Sequence, residues 1–199
     1  MDAEFWDERY AGREQLFSGN VNGVLVIEVA ELTAGQALDI GCGEGADARW
    51  LAGRGWQVTA IDISEVALRR AAAAAGADGR VAWMRADLTV TPPPAGAFDL
   101  VSALYFPLPR QRDHRALRGL LAAVAPGGTL LFAGHDLADL GAHHGDDLDP
   151  GDFYLPGEVG ALLGAEWTIV VDETRPRVDP APAGTGHAHD VVLRAQRGR

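Results

Sequence analysis

The stretch Ala37-Leu38-Asp39-Ile40-Gly41-Cys42-Gly43-Glu44-Gly45 is an apolar run that meets a carboxylate and then opens into a turn with glycine at every second position. Glycines placed directly after a strand let the backbone come close to a bound molecule. The next apolar run, Val58-Thr59-Ala60-Ile61, closes on Asp62, where an acid can hold the two hydroxyls of a ribose. The unit reads as strand, glycine turn, helix, strand, with a ribose-bearing ligand at the carboxyl end.

The rest of the chain repeats that alternation. The first thirty-odd residues read as helical and amphipathic, with Phe5, Trp6, Tyr10, Val24, Ile27 and Leu32 as apolar anchors. A strand is expected over 36–40, a helix over 45–54, and a second strand over 56–62. Ser64 then N-caps a helix running to Ala75, with Glu65 in its first turn. A third strand spans 81–85. Three prolines at 92–94 exclude helix interior before a fourth strand at 98–103. A helix over 111–124, a Pro126-Gly127-Gly128 turn and a strand over 129–133 follow. A long acidic loop spans 134–156, then a helix over 157–163 and strands at 166–172 and 190–195. The alternation predicts a doubly wound, Rossmann-like sheet of seven strands. It is mostly parallel, with the last strand antiparallel because no helix separates it from the one before. One domain over 1–199 is expected, with a helical N-terminal part (1–33) and a core (34–199).

Composition narrows the chemistry. The 47% hydrophobic and 23% charged fractions of the 199 residues are those of an ordinary globular chain. Seventeen basic against 28 acidic residues give a net charge of −11, which disfavours nucleic acid and anionic membrane as partners. Every basic residue is arginine. That excludes a lysine Schiff base and a lysine-dependent phosphate loop. With a single cysteine, no signal-peptide pattern and no membrane-length apolar run, a cytoplasmic location is expected.

Trp6-Asp7-Glu8-Arg9-Tyr10, Leu38–Gly45, Val58–Ser64, Ala86-Asp87-Leu88, Phe98-Asp99-Leu100-Val101 and Leu121–Leu131 together resemble the class I S-adenosylmethionine-dependent methyltransferases. The likeness is greatest to the small branch with the tellurite-resistance and thiopurine-type enzymes. It implies that Gly41, Cys42 and Gly43 follow the methionine part of the cofactor while Asp39 orients its ammonium. Asp62 would accept the ribose hydroxyls, Ile63 would pack on the adenine, and Asp87 with the Leu88 backbone would meet its edge. Ser102, Ala103 and Tyr105 would line the crevice near the sulfonium. Trp6, Tyr10 and Asn22 match a lid over the cofactor. The product would be S-adenosylhomocysteine and the acceptor a small molecule, with a chalcogen or tellurite acceptor, or noncatalytic cofactor binding, as alternatives. Monomer and homodimer both remain open.

A nicotinamide-binding fold competes, since Gly41-x-Gly43-x-x-Ala46 fits the relaxed dinucleotide pattern. Asp39 and Glu44 argue against it, because acids beside the turn repel a pyrophosphate but suit a cationic methionine end. On the acceptor side, the family topology brings His135, after the fifth strand, beside His187 and His189, before the last. His135 is then the candidate general base toward a hydroxyl. His135, His143 and His144 with the surrounding acids match no compact zinc spacing, so no metal is expected. Arg110, Arg112, Arg115 and Arg118 read as a solvated basic run, the last three on one helical face.

Overall fold

The computed structural model describes residues 1–76, 79–140, 149–178 and 187–199. Seven strands form one sheet in the order β3-β2-β1-β4-β5-β7-β6. They are β1 (Gln36–Ile40), β2 (Gln57–Asp62), β3 (Val81–Arg85), β4 (Phe98–Leu104), β5 (Val124–His135), β6 (Trp167–Pro176) and β7 (His189–Arg197). The pairs among β1 to β5 are parallel, while β7 runs antiparallel to both β5 and β6. The helices are α1 (Ala3–Ala11), α2 (Gly23–Val29), α3 (Ala46–Gly53), α4 (Glu65–Ala75), α5 (Arg115–Ala123) and α6 (Pro156–Ala161).

Successive side chains on a strand face opposite ways, and both faces are apolar here. Val101, Leu130 and Leu193 pack with Leu117 and Leu120 of α5 and Val159 of α6. Their neighbours Leu100, Leu131 and Val192 pack with Leu25 of α2 and Leu51 of α3 on the other side. A sheet buried on both faces presents its ligands only at strand ends. That geometry brings Asp39, Asp62, Asp87 and Ser102 to one edge.

Several boundaries differ from expectation, each for a local reason. The N-terminal part is two short helices, and 12–22 between them is irregular, with the Leu16, Phe17 and Asn22 amides donating to Glu44 and Asp47. The helix expected from 111 starts at Arg115, after His114 adopts φ 53° in the left-handed region. Arg112 therefore precedes the helix and does not share a face with Arg115 and Arg118. β5 begins at Val124, and its pairing with β4 shifts register between Phe98 and Leu100, which absorbs the Pro-Gly-Gly segment in an irregularity instead of a turn. The acidic segment contains 3-10 turns at Leu137–Leu140 and Pro150–Asp152. Its two histidines, His143 and His144, lie outside the described residues. β6 and β7 run past their apolar cores because pairing continues, β6 through Glu173 to Pro176 opposite Val192 to His189, and β7 through Gln196 and Arg197 opposite Thr168 and Trp167.

Glu28 of α2 is buried, and its carboxylate lies 2.7 Å from Arg175 of β6 and 3.4 Å from Arg194 of β7. Arg194 also donates to the Glu28 carbonyl at 2.8 Å. Two arginines from adjacent strands thus fix α2 against the sheet. Partnering of this kind is what lets a carboxylate stay buried.

Candidate functional site

The turn after β1 is built by glycine. Gly41, Gly43 and Gly45 have φ of 66°, 53° and 78°, a region costly for side chains. A Cβ on Gly41 would run into the Phe106 ring, and one on Gly43 would meet the Tyr10 hydroxyl at 2.9 Å. The turn therefore has its bare backbone facing Phe106 on one side and Tyr10 on the other. Cys42 has its thiol pushed well up by burial and then by the charge of Asp39, which makes it an inert small residue rather than a nucleophile.

Asp39 is buried behind that turn. Ser102 Oγ stands 3.4 Å from its Oδ1, while Oδ2 is buried without a hydrogen-bond partner among the described residues. Burial raises this carboxyl well above its usual range, and the charge of nearby Asp47 adds to the rise. An unpartnered buried carboxylate oxygen is costly unless a donor meets it. An ammonium or another cationic donor suits it; a phosphate does not.

Asp62 is held differently. Its Oδ2 accepts from Gly43 N and its Oδ1 from Ser64 N, both at 2.8 Å. The acid thus ties the glycine turn to the start of α4. Each oxygen keeps a second lone pair, so two hydroxyls can still be accepted. Burial raises its pKa, against the pull of the backbone bonds.

An open cleft runs from this edge. It is lined by Gly41, Asp62, Ile63, Asp87 and Leu88, and by an apolar wall with Trp6, Phe106, Pro107, Pro109 and Phe153. Asp87 is set by Thr89, which donates from N (2.8 Å) and Oγ1 (2.6 Å) to its Oδ1. The apolar wall is braced from below, where Arg110 N donates to Asp152 O and Tyr154 N to Leu108 O. Arg110 also pairs with Glu158 at 2.8 Å and lies over the Tyr154 ring. The arginine that reads as part of a solvated run is thus a brace between two loops.

The N-terminal segment crosses the front of the turn. Asp7 accepts from Ser64 Oγ (2.6 Å) and Val66 N (3.1 Å) at the start of α4. Glu44 accepts from Leu16 N and Phe17 N and pairs with Arg70 at 3.0 Å. Glu44 is therefore occupied by this segment and by Arg70, so its charge is met by partners within the protein. Asn22 bonds Asp47 through N (2.8 Å) and Nδ2 (2.7 Å); it anchors the segment on α3. Trp6 reaches the cleft, and Tyr10 is buried beside Gly43.

The structure thus gathers Trp6, Gly41, Asp62, Ile63, Asp87 and Leu88 around one cleft, with Tyr10, Asp39 and Gly43 against it. Ser102 and Ala103 are fully buried: Ser102 stands behind Asp39, and Ala103 is part of the core. Tyr105, His135 and His187 form a second group at the ends of β4 and β5. Tyr105 stacks on His135 with centroids 4.5 Å apart, and His187 lies 3.7 Å from His135. Asp190 accepts from the Tyr105 hydroxyl at 2.9 Å and from Arg177 at 3.0 Å. His189 instead bonds Asp139 through Nδ1 at 3.1 Å. Sequence reasoning missed Arg177 and Asp190, Asp47 and the Arg110 brace. Only Asp190 carries a signal, as an acid leading directly into the apolar run Val191-Val192-Leu193. Among the described residues no cluster fits a metal ion and no helix is long and apolar enough to cross a membrane.

Residues 37–128 match the model of a methyltransferase domain family. The chain is similar to an uncharacterized methyltransferase of Mycobacterium tuberculosis, 40% identical over 96 residues, which is 47% of this chain and 47% of that protein. It thus spans about half the length of the curated relatives it matches. A solved chain from work on the conversion of a disulfide bond into a thioacetal group during echinomycin biosynthesis superposes with a TM-score of 0.74 at 25% identity. That likeness covers 98% of this chain and 91% of the other. The N-methyltransferase NodS of Bradyrhizobium japonicum, in complex with S-adenosyl-L-homocysteine, gives 0.74 at 18% identity over 99% and 98%. The fold is the Rossmann-like methyltransferase fold.

Proposed function

We propose that this chain, with its methyltransferase domain at residues 37–128, is an S-adenosylmethionine-dependent methyltransferase acting on a small molecule. The observation that carries the reading is Asp39, whose buried Oδ2 lacks a partner among the described residues and so suits the ammonium of such a cofactor. Asp62 offers two free lone pairs for a diol, and Asp87 and Leu88 stand on the cleft wall for the adenine edge. When bound, the cofactor supplies an electrophilic methyl group on a sulfonium. What the chain adds is position and exclusion of water. Tyr10 and Trp6 shield the turn, while Phe106 and Phe153 give an apolar wall against which an acceptor can lose its water. Aromatic faces near a sulfonium add cation–π attraction of ~0.5–2 kcal/mol.

Residues 1–33 act as the cover of this site and the remainder as its core. Sulfur or a heavier chalcogen is the favoured alternative acceptor class, because the solved neighbour that matches over 98% of this chain comes from disulfide-to-thioacetal chemistry.

Calorimetry tests the cofactor. S-adenosylmethionine and S-adenosylhomocysteine are expected to bind with micromolar-range affinity, on the order of −8 kcal/mol, and NAD not to bind. Tight NAD binding with no response to either sulfur ligand would overturn the reading.

A further inference from the structure

His135 is enclosed on three sides. Tyr105 stacks at 26° between ring planes, and His187 takes a second face at a centroid distance of 3.7 Å. Arg177 Nη1 lies 3.4 Å from His135 Nδ1. A guanidinium has no acceptor, so the imidazole nitrogen facing it accepts, and the ring proton sits on Nε2. Burial, then the proximity of His187 and Arg177, takes the His135 pKa down to about 3, so the ring stays neutral. With both faces and Nδ1 engaged, the edge left to a partly exposed His135 is Nε2–H and Cε1.

The group lies one residue along the chain from the cleft. Tyr105 is turned by a φ of 52°, and the next residue, Phe106, lines the apolar wall. Other titratable groups facing His135 are already committed. The Tyr105 hydroxyl donates to Asp190, and burial, followed by Asp190, pushes its pKa up. Arg177 pairs with Asp190. His187 is lowered by burial and by Arg177, with Asp139 and Asp190 opposing. His189 leaves β7 on the opposite face from Asp190, by strand alternation, and is bonded to Asp139.

We infer that His135 positions the acceptor by donating a hydrogen bond from Nε2–H and does not take its proton, so that acceptors used at this edge are those nucleophilic without losing a proton during transfer, thiolates and neutral amines, rather than alcohols. This rests on the methyltransferase reading. For a thiolate the new S–CH3 bond forms as the sulfonium S–CH3 bond breaks. The bonding pair returns to the donor sulfur, giving a thioether, and no proton moves. For an amine the product ammonium releases its proton to water. An alcohol would need a base at the moment of transfer, and a ring whose one lone pair is held by Arg177 supplies none.

Nitrogen-15 NMR of the full chain reads the tautomer without any ligand. His135 is expected to show Nε2–H and no titration between about pH 5 and 9, while Arg177→Met restores a mixed tautomer. A ring that titrates near its ordinary midpoint, or carries Nδ1–H, overturns the inference. Labelled-donor turnover on benzenethiol, aniline and phenol supplies the second arm. Phenol is expected at least ~100-fold slower than the better of the other two. His135→Gln, which keeps a donor near the Nε2 position, should stay within about threefold in kcat/KM, and His135→Leu should raise KM ~10-fold with kcat little changed. Preferred turnover of phenol, loss of kcat in His135→Gln, or turnover of none of the three by a chain that binds S-adenosylmethionine counts against it. Failure of S-adenosylmethionine to bind at all removes the methyltransferase reading instead and leaves the tautomer result standing.

Discussion

Asp62→Ala is expected to weaken binding of S-adenosylmethionine by ~100-fold or more. Two contributions add. Hydrogen bonds from two ribose hydroxyls to a carboxylate are each of the charge-assisted kind, ~1.5–3 kcal/mol before water compensates. Asp62 also accepts from Gly43 N and Ser64 N, so its removal leaves two backbone donors without their partner and loosens the turn that carries the ligand. Unpaired buried donors cost ~1–3 kcal/mol each, and the variant should melt several degrees lower, at ~2–4 °C per kcal/mol for a chain of this size. Asp62→Asn separates the two: its carbonyl oxygen retains one backbone bond while the charge is lost. Calorimetry together with a thermal scan checks both. Affinity unchanged in the alanine variant would put the ribose elsewhere.

Asp39→Asn should act in opposite directions on binding and stability. The buried carboxylate has a pKa raised by desolvation and by Asp47, above its value in the unfolded chain. Between those two values the folded state binds more protons than the unfolded one, so the chain loses stability as pH rises through that interval and stays penalised above it. An amide removes the penalty, and a gain on the order of 1–3 kcal/mol is expected at neutral pH, shrinking toward acid pH. Ligand affinity should fall about 10- to 100-fold, the worth of a charge-assisted contact. In the unaltered protein affinity should strengthen as pH rises and Asp39 ionises, below the titration of the ligand's own ammonium near ~8; in Asp39→Asn that dependence should vanish. A variant that melts lower and binds as before would deny Asp39 this role.

The alternation of strand and helix was legible because each signal is local. Ser64 with Glu65 marks the start of α4 and Ala75 its end, and Val81–Arg85 is delimited by its own apolar run. The acids at strand ends were legible for the same reason, as each closes a short apolar segment. What escaped notice depends on partners far along the chain. Glu28 reads as a surface residue of an amphipathic helix until Arg175 and Arg194 close on it. Glu44 looks like a charge offered to a ligand until Leu16 and Phe17 occupy it. His114 belongs by periodicity to α5, yet it takes a left-handed conformation and bonds Tyr154. No pattern of period 2 or 3.6 encodes such pairings.

The crossing of residues 7–22 over the glycine turn has a consequence for timing. Its contacts go to three separate elements: Asp7 to the start of α4, Leu16 and Phe17 to Glu44, and Asn22 to Asp47 of α3. Individually each is worth only ~1 kcal/mol net. On the proposed reading of residues 1–33 as the cover of the site, a molecule seated beneath Tyr10 is expected to leave as those contacts release together, with a residence time that follows the fraying of the strap above it. Exchange of the Leu16 and Phe17 amide hydrogens, measured on the free chain, would clock that release directly.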